Sequence, residues 1–351
     1  MLIDIVVRAI AFATILLGAE LFTNGIEWFG HKLGLSEGAI GSVLAAVGTA
    51  LPETMIPLIA IVFTVGGGGN EIGVGAILGA TFMLSTLAMF VTGVAVLAVA
   101  GRRVNGDVMT VSSSVLSHDI RTFVLAYALA VGVAFLPSDL VWPRLVTAAG
   151  MLVIYAWYVR AHLRSDAPPT ESDGLAPLRL HPLDRRAPAH LPDPRLRIVT
   201  VQVLVALGCI IVGAYVFVGA VEDLAKTLGA DEALLALVIA PIATELPEKF
   251  NSNLWVRQGK DTLAMGNITG AMVFQSTIPT VIGLVFASSH WAITDASLLS
   301  FASAGIAFAA CAAIFLPMLV RGRLNGRGLL VGGLFYVAYI GLVLVRLSSA
   351  G

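Results

Sequence analysis

The chain has 351 residues, of which 58% are hydrophobic and only 12% charged, and its mean hydropathy is +0.91. Apolar stretches of about twenty residues recur throughout and exclude a soluble globular protein, whose helices need polar faces. The net charge of −1 says little by itself, because in a membrane protein the distribution of charge between loops matters more than its sum.

At about 20 residues per membrane crossing, the apolar stretches predict five spans in each half of the chain. Those of the first half cover 4–30, 37–64, 71–99, 119–137 and 142–161. Those of the second half cover 197–225, 232–256, 262–287, 295–319 and 327–346. We therefore predict an all-α polytopic membrane protein with ten transmembrane helices.

The segment between the two sets, 164–195, contains seven prolines and no apolar period. It is also rich in arginine, and such a composition favours a solvated, mobile linker. The predicted organisation is therefore a first five-helix repeat at 1–163, a Pro/Arg-rich linker at 164–195 and a second five-helix repeat at 196–351.

Basic residues are concentrated in alternate loops, which predicts the orientation of the chain. One set of loops carries most of them: Lys32, Arg102, Arg103, the linker arginines, Arg257, Lys260, Arg321, Arg323 and Arg327. Because short loops rich in Lys and Arg favour the cytoplasmic side, we expect a cytoplasmic linker and both termini outside the inner (plasma) membrane. The N-terminus lacks the basic region of a cleaved signal peptide.

The two halves are related by an internal repeat. Residues 18–53 align without a gap to residues 213–248. The match closes on Thr49-Ala50-Leu51-Pro52-Glu53 against Thr244-Glu245-Leu246-Pro247-Glu248. A second patch aligns Gly75, Gly79, Ala80, Ser85 and Thr86 with Gly266, Gly270, Ala271, Ser276 and Thr277. Since each repeat has an odd number of spans, the repeats are inverted, an arrangement that suits alternating access.

Glu53 and Glu248 each fall near the middle of an apolar span, where an ionised carboxylate costs several kcal/mol without a partner. Each follows a proline, which interrupts the helix and frees a carbonyl about one turn earlier, near Thr49 and Thr244. Carboxylate, hydroxyl and carbonyl oxygens at one depth are ligands for hard cations such as Na⁺ or Ca²⁺. The alternative is a protonated glutamic acid that only holds helices together.

The second copy of the motif carries extra charge. Glu245 lies one turn before Glu248 on the same face, and Lys249 is four residues after Glu245, a spacing that favours a salt bridge. Either this pair neutralises itself, or Lys249 titrates and competes with a cation. Further polar groups on the third and eighth spans would complete the site, with Gln275 and Asn267 favoured over Ser85, because serine often bonds back to its own helix. The Gly75–Gly79 and Gly266–Gly270 pairs indicate close helix packing.

No catalytic motif is present, so we expect a transporter rather than an enzyme, without cofactor, nucleic-acid ligand or obligate protein partner. Its partners would be cations as substrates and the lipid bilayer. His118, Asp119 and Arg121 lie at a predicted helix start, where Asp119 suits the helix dipole, and we interpret them as structural.

These motifs resemble those of the cation/calcium exchanger superfamily, specifically its sodium/calcium exchanger branch. That family carries Gly-Thr-Ser-Leu/Ala-Pro-Glu on the second and seventh of ten helices. Here Gly48-Thr49-Ala50-Leu51-Pro52-Glu53 and Ala243-Thr244-Glu245-Leu246-Pro247-Glu248 stand in those places. The resemblance implies that Glu53 and Glu248 are central ion ligands, Thr49 and Thr244 are further oxygen donors, and Ca²⁺ is exchanged against Na⁺.

The chain departs from that pattern at several ligand positions. The family's serine is Ala50 in one repeat and Glu245 in the other, and the polar or acidic positions of the third and eighth helices are Leu84 and Gln275. The serine after each glycine pair is Ala80 or Ala271. Two alternatives therefore stay open: a proton-coupled exchanger using the Glu245, Glu248 and Lys249 cluster, and a non-transporting scaffold or sensor that kept the fold.

Overall fold

The computed structural model describes residues 2–63, 69–164, 175–183, 194–227, 246–295 and 297–350. The helices of the first half are α1 Leu2–Lys32, α2 Glu37–Ala39, α3 Ala46–Thr49, α4 Leu51–Phe63, α5 Gly69–Met83, α6 Met89–Val99, α7 Ser113–Val133 and α8 Val141–Leu163. Turns of π-helix at Ile40–Ala45 and Leu84–Ala88 join α2 to α3 and α5 to α6, and a 3₁₀ turn at Ala100–Arg102 follows α6.

The helices of the second half are α9 Leu196–Thr227, α10 Leu246–Arg257, α11 Asp261–Phe286, α12 Leu298–Arg321, α13 Gly326–Leu329 and α14 Val331–Ala350, with 3₁₀ turns at His181–Leu183 and Ser288–His290. Seven helical segments among the described residues are long and apolar enough to cross a membrane: Ile10–Lys32, Asn70–Arg102, Ser113–Val133, Leu196–Gly213, Asp261–Phe286, Leu298–Met318 and Gly326–Arg346. The predicted all-α membrane fold is confirmed, whereas the number of ten spans stays a prediction.

One short sheet interrupts the helices, and the hydropathy pattern does not predict it. Strand β1, Val108–Met109, pairs antiparallel with β2, Leu324–Asn325, in the register Val108↔Asn325 and Met109↔Leu324. The sheet joins a loop of the first half to a loop of the second half. It therefore ties the two repeats together outside the helical core.

Helix α11 lies at the centre of the core and is buried on nearly all sides along most of its length. It packs against α5, α7, α8 and the π-helical turn Ile40–Ala45. A membrane helix that carries polar side chains is favoured in the protein interior rather than against lipid. Because α11 carries Asn267 and Gln275, the core places these two side chains away from lipid.

The long helices α1 and α9 pack against each other along their length. Two glycines that the repeat alignment matches, Gly18 and Gly213, lie in this contact. A Cβ atom added to Gly18 would lie 3.0 Å from Cys209 Cβ, and one added to Gly213 would lie 2.9 Å from Ile15 Cγ1. The first helices of the two repeats thus approach each other through equivalent small residues, as expected of an inverted repeat.

Part of the linker is docked on these two helices rather than solvated as its composition predicts. Leu178 is 3% exposed and packs with Trp28 and Val199. The Trp28 indole donates a hydrogen bond to the Ala176 carbonyl at 2.9 Å, and the Leu180 amide donates to Gln202 Oε1 at 2.8 Å. Leu175 also packs against this cluster, and Arg179 pairs with Glu20 on α1. Apolar contacts, backbone hydrogen bonds and one ion pair thus place residues 175–183 across α1 and α9.

Candidate functional site

The first Leu-Pro-Glu motif lies at a break between two helices. α3 ends at Thr49 and α4 begins at Leu51, with Ala50 between them at φ −81° and ψ 0°. Pro52 has no N–H, so the Gly48 carbonyl cannot receive the regular helical hydrogen bond from it. Two residues further along, the Ala50 carbonyl accepts the regular helical bond from the Thr54 amide at 3.2 Å. It also accepts from the Thr54 hydroxyl at 2.7 Å. The break therefore lies where the proline predicts it.

Glu53 lies in the first turn of α4 and is 5% exposed. The N-terminal end of a helix has unpaired N–H groups and a positive dipole end, which favour a carboxylate there. Folding thus gives this buried acid a favourable local field before any ion binds.

Thr49 belongs to a chain of hydrogen bonds between the two repeats. Its hydroxyl lies 3.0 Å from the Ala45 carbonyl and 3.2 Å from Asn267 Oδ1, so its single hydrogen can be donated to either oxygen. Asn267 Nδ2 donates to Ser252 Oγ at 3.2 Å, and Ser252 donates to the Ala264 carbonyl at 3.1 Å. These contacts connect α3, α11 and α10, and they bring together two of the predicted site residues.

Gln275 reaches the same helix break from α11. Its Nε2 donates to the Ala50 carbonyl at 3.4 Å and to the Thr54 hydroxyl at 3.3 Å. Because a carbonyl only accepts, the amide must present its nitrogen there and direct Oε1 elsewhere. Oε1 is buried and forms no hydrogen bond within the described residues, and it belongs to the same amide group that contacts the helix break.

Ser85 differs from these residues. It is buried in the π-helical turn Leu84–Ala88, and its hydroxyl donates to the Thr81 carbonyl of its own helix at 2.8 Å. This bond is the local one expected of serine in membrane helices. Its predicted role as an ion ligand stays a prediction.

The two glycine pairs are unequal. A Cβ atom at Gly270 would lie 2.1 Å from the Ser42 carbonyl oxygen, and one at Gly266 would lie 2.8 Å from Ser42 Oγ. At Gly79, by contrast, an added Cβ would meet no atom within 4 Å in the part of the chain that is described. Close packing through glycine therefore occurs at α11 but not at Gly79.

The second Leu-Pro-Glu motif is only partly within the described residues. Thr244 and Glu245 lie outside them. Glu248 falls in α10, but its side chain is not among those described, and Lys249, the next residue, is 5% exposed. The predicted roles of these residues remain predictions.

Sequence analysis missed several polar residues near the site. Ser252 lies one helical turn after Glu248, a spacing that could have identified it. Thr54 directly follows Glu53. Asn251 is fully buried on α10, and neither side-chain amide atom forms a hydrogen bond with the residues that the structure describes. Of these residues, Ser252 and Thr54 contact α11 directly.

Asp119 is not at a helix start, contrary to the prediction. α7 begins at Ser113, so Asp119 lies in the second turn and is fully buried. Its Oδ2 accepts from the Ser42 hydroxyl at 2.8 Å and from the Thr269 hydroxyl at 2.6 Å, and its Oδ1 accepts from the Tyr158 hydroxyl at 2.9 Å. Asp119 therefore joins four parts of the fold, which a reading of helix termini could not reveal.

The chemistry of the site is that of oxygen ligands. Its carboxylate, hydroxyl, amide and carbonyl oxygens suit a hard, weakly held cation rather than zinc or copper. Among the described residues, no group of three or more His, Cys, Asp or Glu side chains could hold a metal ion.

Comparisons with known proteins agree with these features. The family model described as sodium/calcium exchanger protein matches residues 3–163 and 198–348. The "Putative antiporter CaxA" of Alkalimonas amylolytica is 24% identical, over 99% of this chain and 100% of its own length. An uncharacterized membrane protein of Methanocaldococcus jannaschii is 40% identical over 72 residues, which are 20% of this chain and 24% of that protein.

Solved structures of the sodium-calcium exchanger NCX_Mj have the same fold. The structure soaked with zero Na⁺ and Ca²⁺ has a TM-score of 0.72 at 15% identity, and covers 97% of this chain and 99% of its own. The structure soaked with 2.5 mM Na⁺ and 0.1 mM Ca²⁺ has a TM-score of 0.70 at 15% identity, over 97% and 98% of the two chains. The similarity extends over both repeats.

Proposed function

We propose that this chain, which belongs to the sodium/calcium exchanger protein family, exchanges Ca²⁺ for Na⁺ by alternating access. Membership of that family makes it a multi-pass membrane antiporter of cations and not an enzyme. The choice of ions is the finer proposal. Both ions would bind in mid-membrane between the two repeats, as substrates rather than as cofactors.

The position of Gln275 is the observation that carries this proposal. Its nitrogen is held by the Ala50 carbonyl and the Thr54 hydroxyl. Its buried oxygen is thereby fixed beside the helix break that carries Glu53, before any ion arrives. An amide oxygen held in this way is a suitable ligand for Na⁺ or Ca²⁺. It also lacks the charge that the family places at this position.

The proposed ligand set spans both repeats and comprises Glu53, Thr49, Ser85, Glu248, Glu245, Thr244, Asn267 and Gln275. Three of these are carboxylates, and Lys249 would reduce their net charge to −2, which matches one Ca²⁺ or two Na⁺. This match supports exchange between the two ions at one site. The NCX_Mj structures were soaked with Na⁺ together with Ca²⁺ or Sr²⁺, which supports the same pair of ions here.

The proposed organisation follows the predicted one: repeats at 1–163 and 196–351, separated by the linker 164–195. The family match stops at 163 and resumes at 198, which supports this division. The concentration of Lys and Arg in alternate loops supports a cytoplasmic linker and external termini in the inner membrane.

Flux in proteoliposomes tests the proposal. Vesicles loaded with Na⁺ should take up Ca²⁺ when diluted into Na⁺-free buffer, and Glu53→Gln should abolish that uptake because it removes a carboxylate ligand. Glu20→Gln is the matched control, since Glu20 is half exposed and pairs with Arg179 on the surface. Uptake by Glu53→Gln equal to that of the control would contradict the proposal.

Proton coupling is distinguished in the same vesicles. Lys249 is 5% exposed and directly follows Glu248 in the chain, so a proton-coupled exchanger would use it together with Glu245 and Glu248. If protons drive exchange, an imposed pH gradient without Na⁺ should suffice and Lys249→Gln should remove its effect. If only Na⁺ gradients drive uptake, coupling is to Na⁺.

A further inference from the structure

A second polar cluster lies in the core, apart from the proposed ion ligands. It consists of Asp119 on α7, Tyr158 and His162 on α8, Ser42 in the π-helical turn and Thr269 on α11. All five are buried. The hydroxyls of Ser42, Thr269 and Tyr158 all lie within hydrogen-bond distance of the Asp119 carboxylate. Those of Thr269 and Tyr158 also reach the Met265 carbonyl at 2.9 Å and the Ser42 carbonyl at 3.1 Å, so each single hydrogen can be donated to either acceptor. The Asp119 carboxylate is therefore the common acceptor at the centre of the cluster.

His162 faces an acceptor at each of its ring nitrogens. Nδ1 lies 3.2 Å from the Tyr158 carbonyl oxygen. Nε2 lies 3.1 Å from Asp119 Oδ1, within the range of an ion pair although the ring is not aligned for a linear hydrogen bond. A carbonyl can only accept, so Nδ1 should carry a hydrogen. A neutral imidazole would then present its Nε2 lone pair to a carboxylate oxygen, which is repulsive.

We propose that the His162–Asp119 pair is a proton-binding site that holds one proton beyond neutral histidine and ionised aspartate. The proton sits between Nε2 and Oδ1, which are 3.1 Å apart. On release the proton leaves Nε2, and no other bond is made or broken. The opposite tautomer, with hydrogen on Nε2 alone, would place the bare Nδ1 against the Tyr158 carbonyl.

His118 provides a route to this pair. It is half-buried, and its ring centroid lies 5.1 Å from that of His162 and 5.5 Å from that of Tyr158, with the latter rings 6° from parallel. The groups that titrate or carry charge around the pair are His118 and the exposed Arg121 from α7 and Tyr155 and Tyr158 from α8. Ser42 and Thr269 contribute hydroxyls from their elements. Protons would therefore enter from the end of α8 that leads into the linker.

Asp119 connects this proton to the proposed ion site. Oδ2 of Asp119 accepts hydrogen bonds from Ser42, seven residues before Thr49, and from Thr269, two residues after Asn267. Asp119 thus holds the π-helical turn that leads into α3 against α11. Helices α3 and α11 are the two that meet in the Thr49–Asn267 contact. Loss of the proton would set the Nε2 lone pair against the carboxylate and loosen the hold of Asp119 on these elements. The proton site would then regulate the exchange proposed above, and only this regulatory consequence rests on that function.

Nitrogen NMR of the full-length protein tests proton binding without transport. The chain has only six histidines, so ¹⁵N-histidine labelling gives few signals, and His162→Gln identifies that of His162. Between about pH 5 and pH 9, which spans the ordinary histidine titration, we expect Nδ1 to keep its hydrogen while the pair releases one proton. A bare Nδ1 with hydrogen on Nε2 at every pH would overturn the proposal.

Ca²⁺ uptake then tests regulation. Wild-type uptake should fall as the pH on the linker side rises through the step seen by NMR, and His162→Gln should lose that fall. His290→Gln, which removes an imidazole outside the cluster, should keep it. If His162 titrates but no Ca²⁺ is taken up, the ion proposal fails and the proton site stands. If uptake occurs with the same pH dependence in His162→Gln, the regulatory role is wrong.

Discussion

The Thr49 hydroxyl lies 3.2 Å from Asn267 Oδ1, and this contact joins the broken helix of the first repeat to the central helix of the second. The equivalent contact cannot form on the other side of the repeat. Aligning Gly75 with Gly266 places Ala76 opposite Asn267 and Leu84 opposite Gln275. The polar partners of the first helix break therefore come from α11, and the aligned positions of the first repeat, Ala76 and Leu84, have no polar side chain.

Removing the Thr49 hydroxyl should weaken this contact without changing side-chain shape. We expect Thr49→Val to lower the free energy of unfolding by about 1 kcal/mol, because one buried hydrogen bond is lost, and to raise the Ca²⁺ concentration needed for half-maximal uptake. Thr49→Ser should keep both values near the wild type. Thermal unfolding in detergent and Ca²⁺ uptake measure the two effects, and equal behaviour of valine and serine variants would contradict a role for the hydroxyl.

The glycines offer a matched pair of substitutions. Gly270→Ala would place a methyl group 2.1 Å from the Ser42 carbonyl oxygen, whereas Gly79→Ala would meet no atom within 4 Å in the described part of the chain. Because a backbone must shift, we expect Gly270→Ala to cost about 3 kcal/mol or more and Gly79→Ala to be nearly neutral. Melting temperatures in detergent compare them. Similar losses in both variants would show that α11 does not approach Ser42 this closely.

Gln275→Glu should lower the stability of the ion-free protein and raise its affinity for Ca²⁺. Glutamate lacks the N–H donors that bond the Ala50 carbonyl and the Thr54 hydroxyl, and it would place a carboxylate oxygen against that carbonyl. We expect a lower melting temperature without ions and a larger rise on adding Ca²⁺, since a ligand stabilises the state that binds it. Gln275→Leu, which removes donors and oxygen alike, should lose the rise. A Ca²⁺ effect equal to wild type in both variants would exclude Gln275 from the site.

The docked part of the linker can be tested by proteolysis. Leu178→Ala should release residues 175–183 from α1 and α9, because Leu178 supplies the buried side chain of this contact. We expect faster trypsin cleavage after Arg179, which lies beside it. Leu183→Ala is the control, since Leu183 is 66% exposed. Equal cleavage rates for the two variants would mean that Leu178 does not hold the linker.

Several features of the site follow from the chain itself. Pro52 predicts the interruption between Thr49 and Leu51, since it lacks a backbone donor. The repeat alignment predicts that Gly18 and Gly213 are equivalent, and both lie in the contact between α1 and α9. The sequence predicts Asn267 and Gln275 as site residues because they are polar residues on an apolar span. Both contact the broken helix. Their ion-binding roles stay predictions.

Other features depend on contacts between residues far apart in the chain. The sequence pattern predicts Asp119 at a helix start, but its partners Ser42, Tyr158 and Thr269 come from three other elements. Composition predicts a solvated linker around Leu178 because it averages over the whole segment. The contacts of Leu178 with Trp28 and Val199 instead dock this part of the linker on α1 and α9.

The sequence by itself determined the membrane environment, the repeat and the helix break, because apolar length, alignment and the missing proline donor are properties of local residues. Only the tertiary structure decided that the polar partners of the break come from α11, that Gly270 rather than Gly79 sits in a close contact, and that Asp119 connects Ser42 and Thr269 to His162. Hydrogen bonds and close contacts between helices depend on how each helix is rotated and placed in the bundle. That placement results from the packing of the whole core and cannot be read from any one segment.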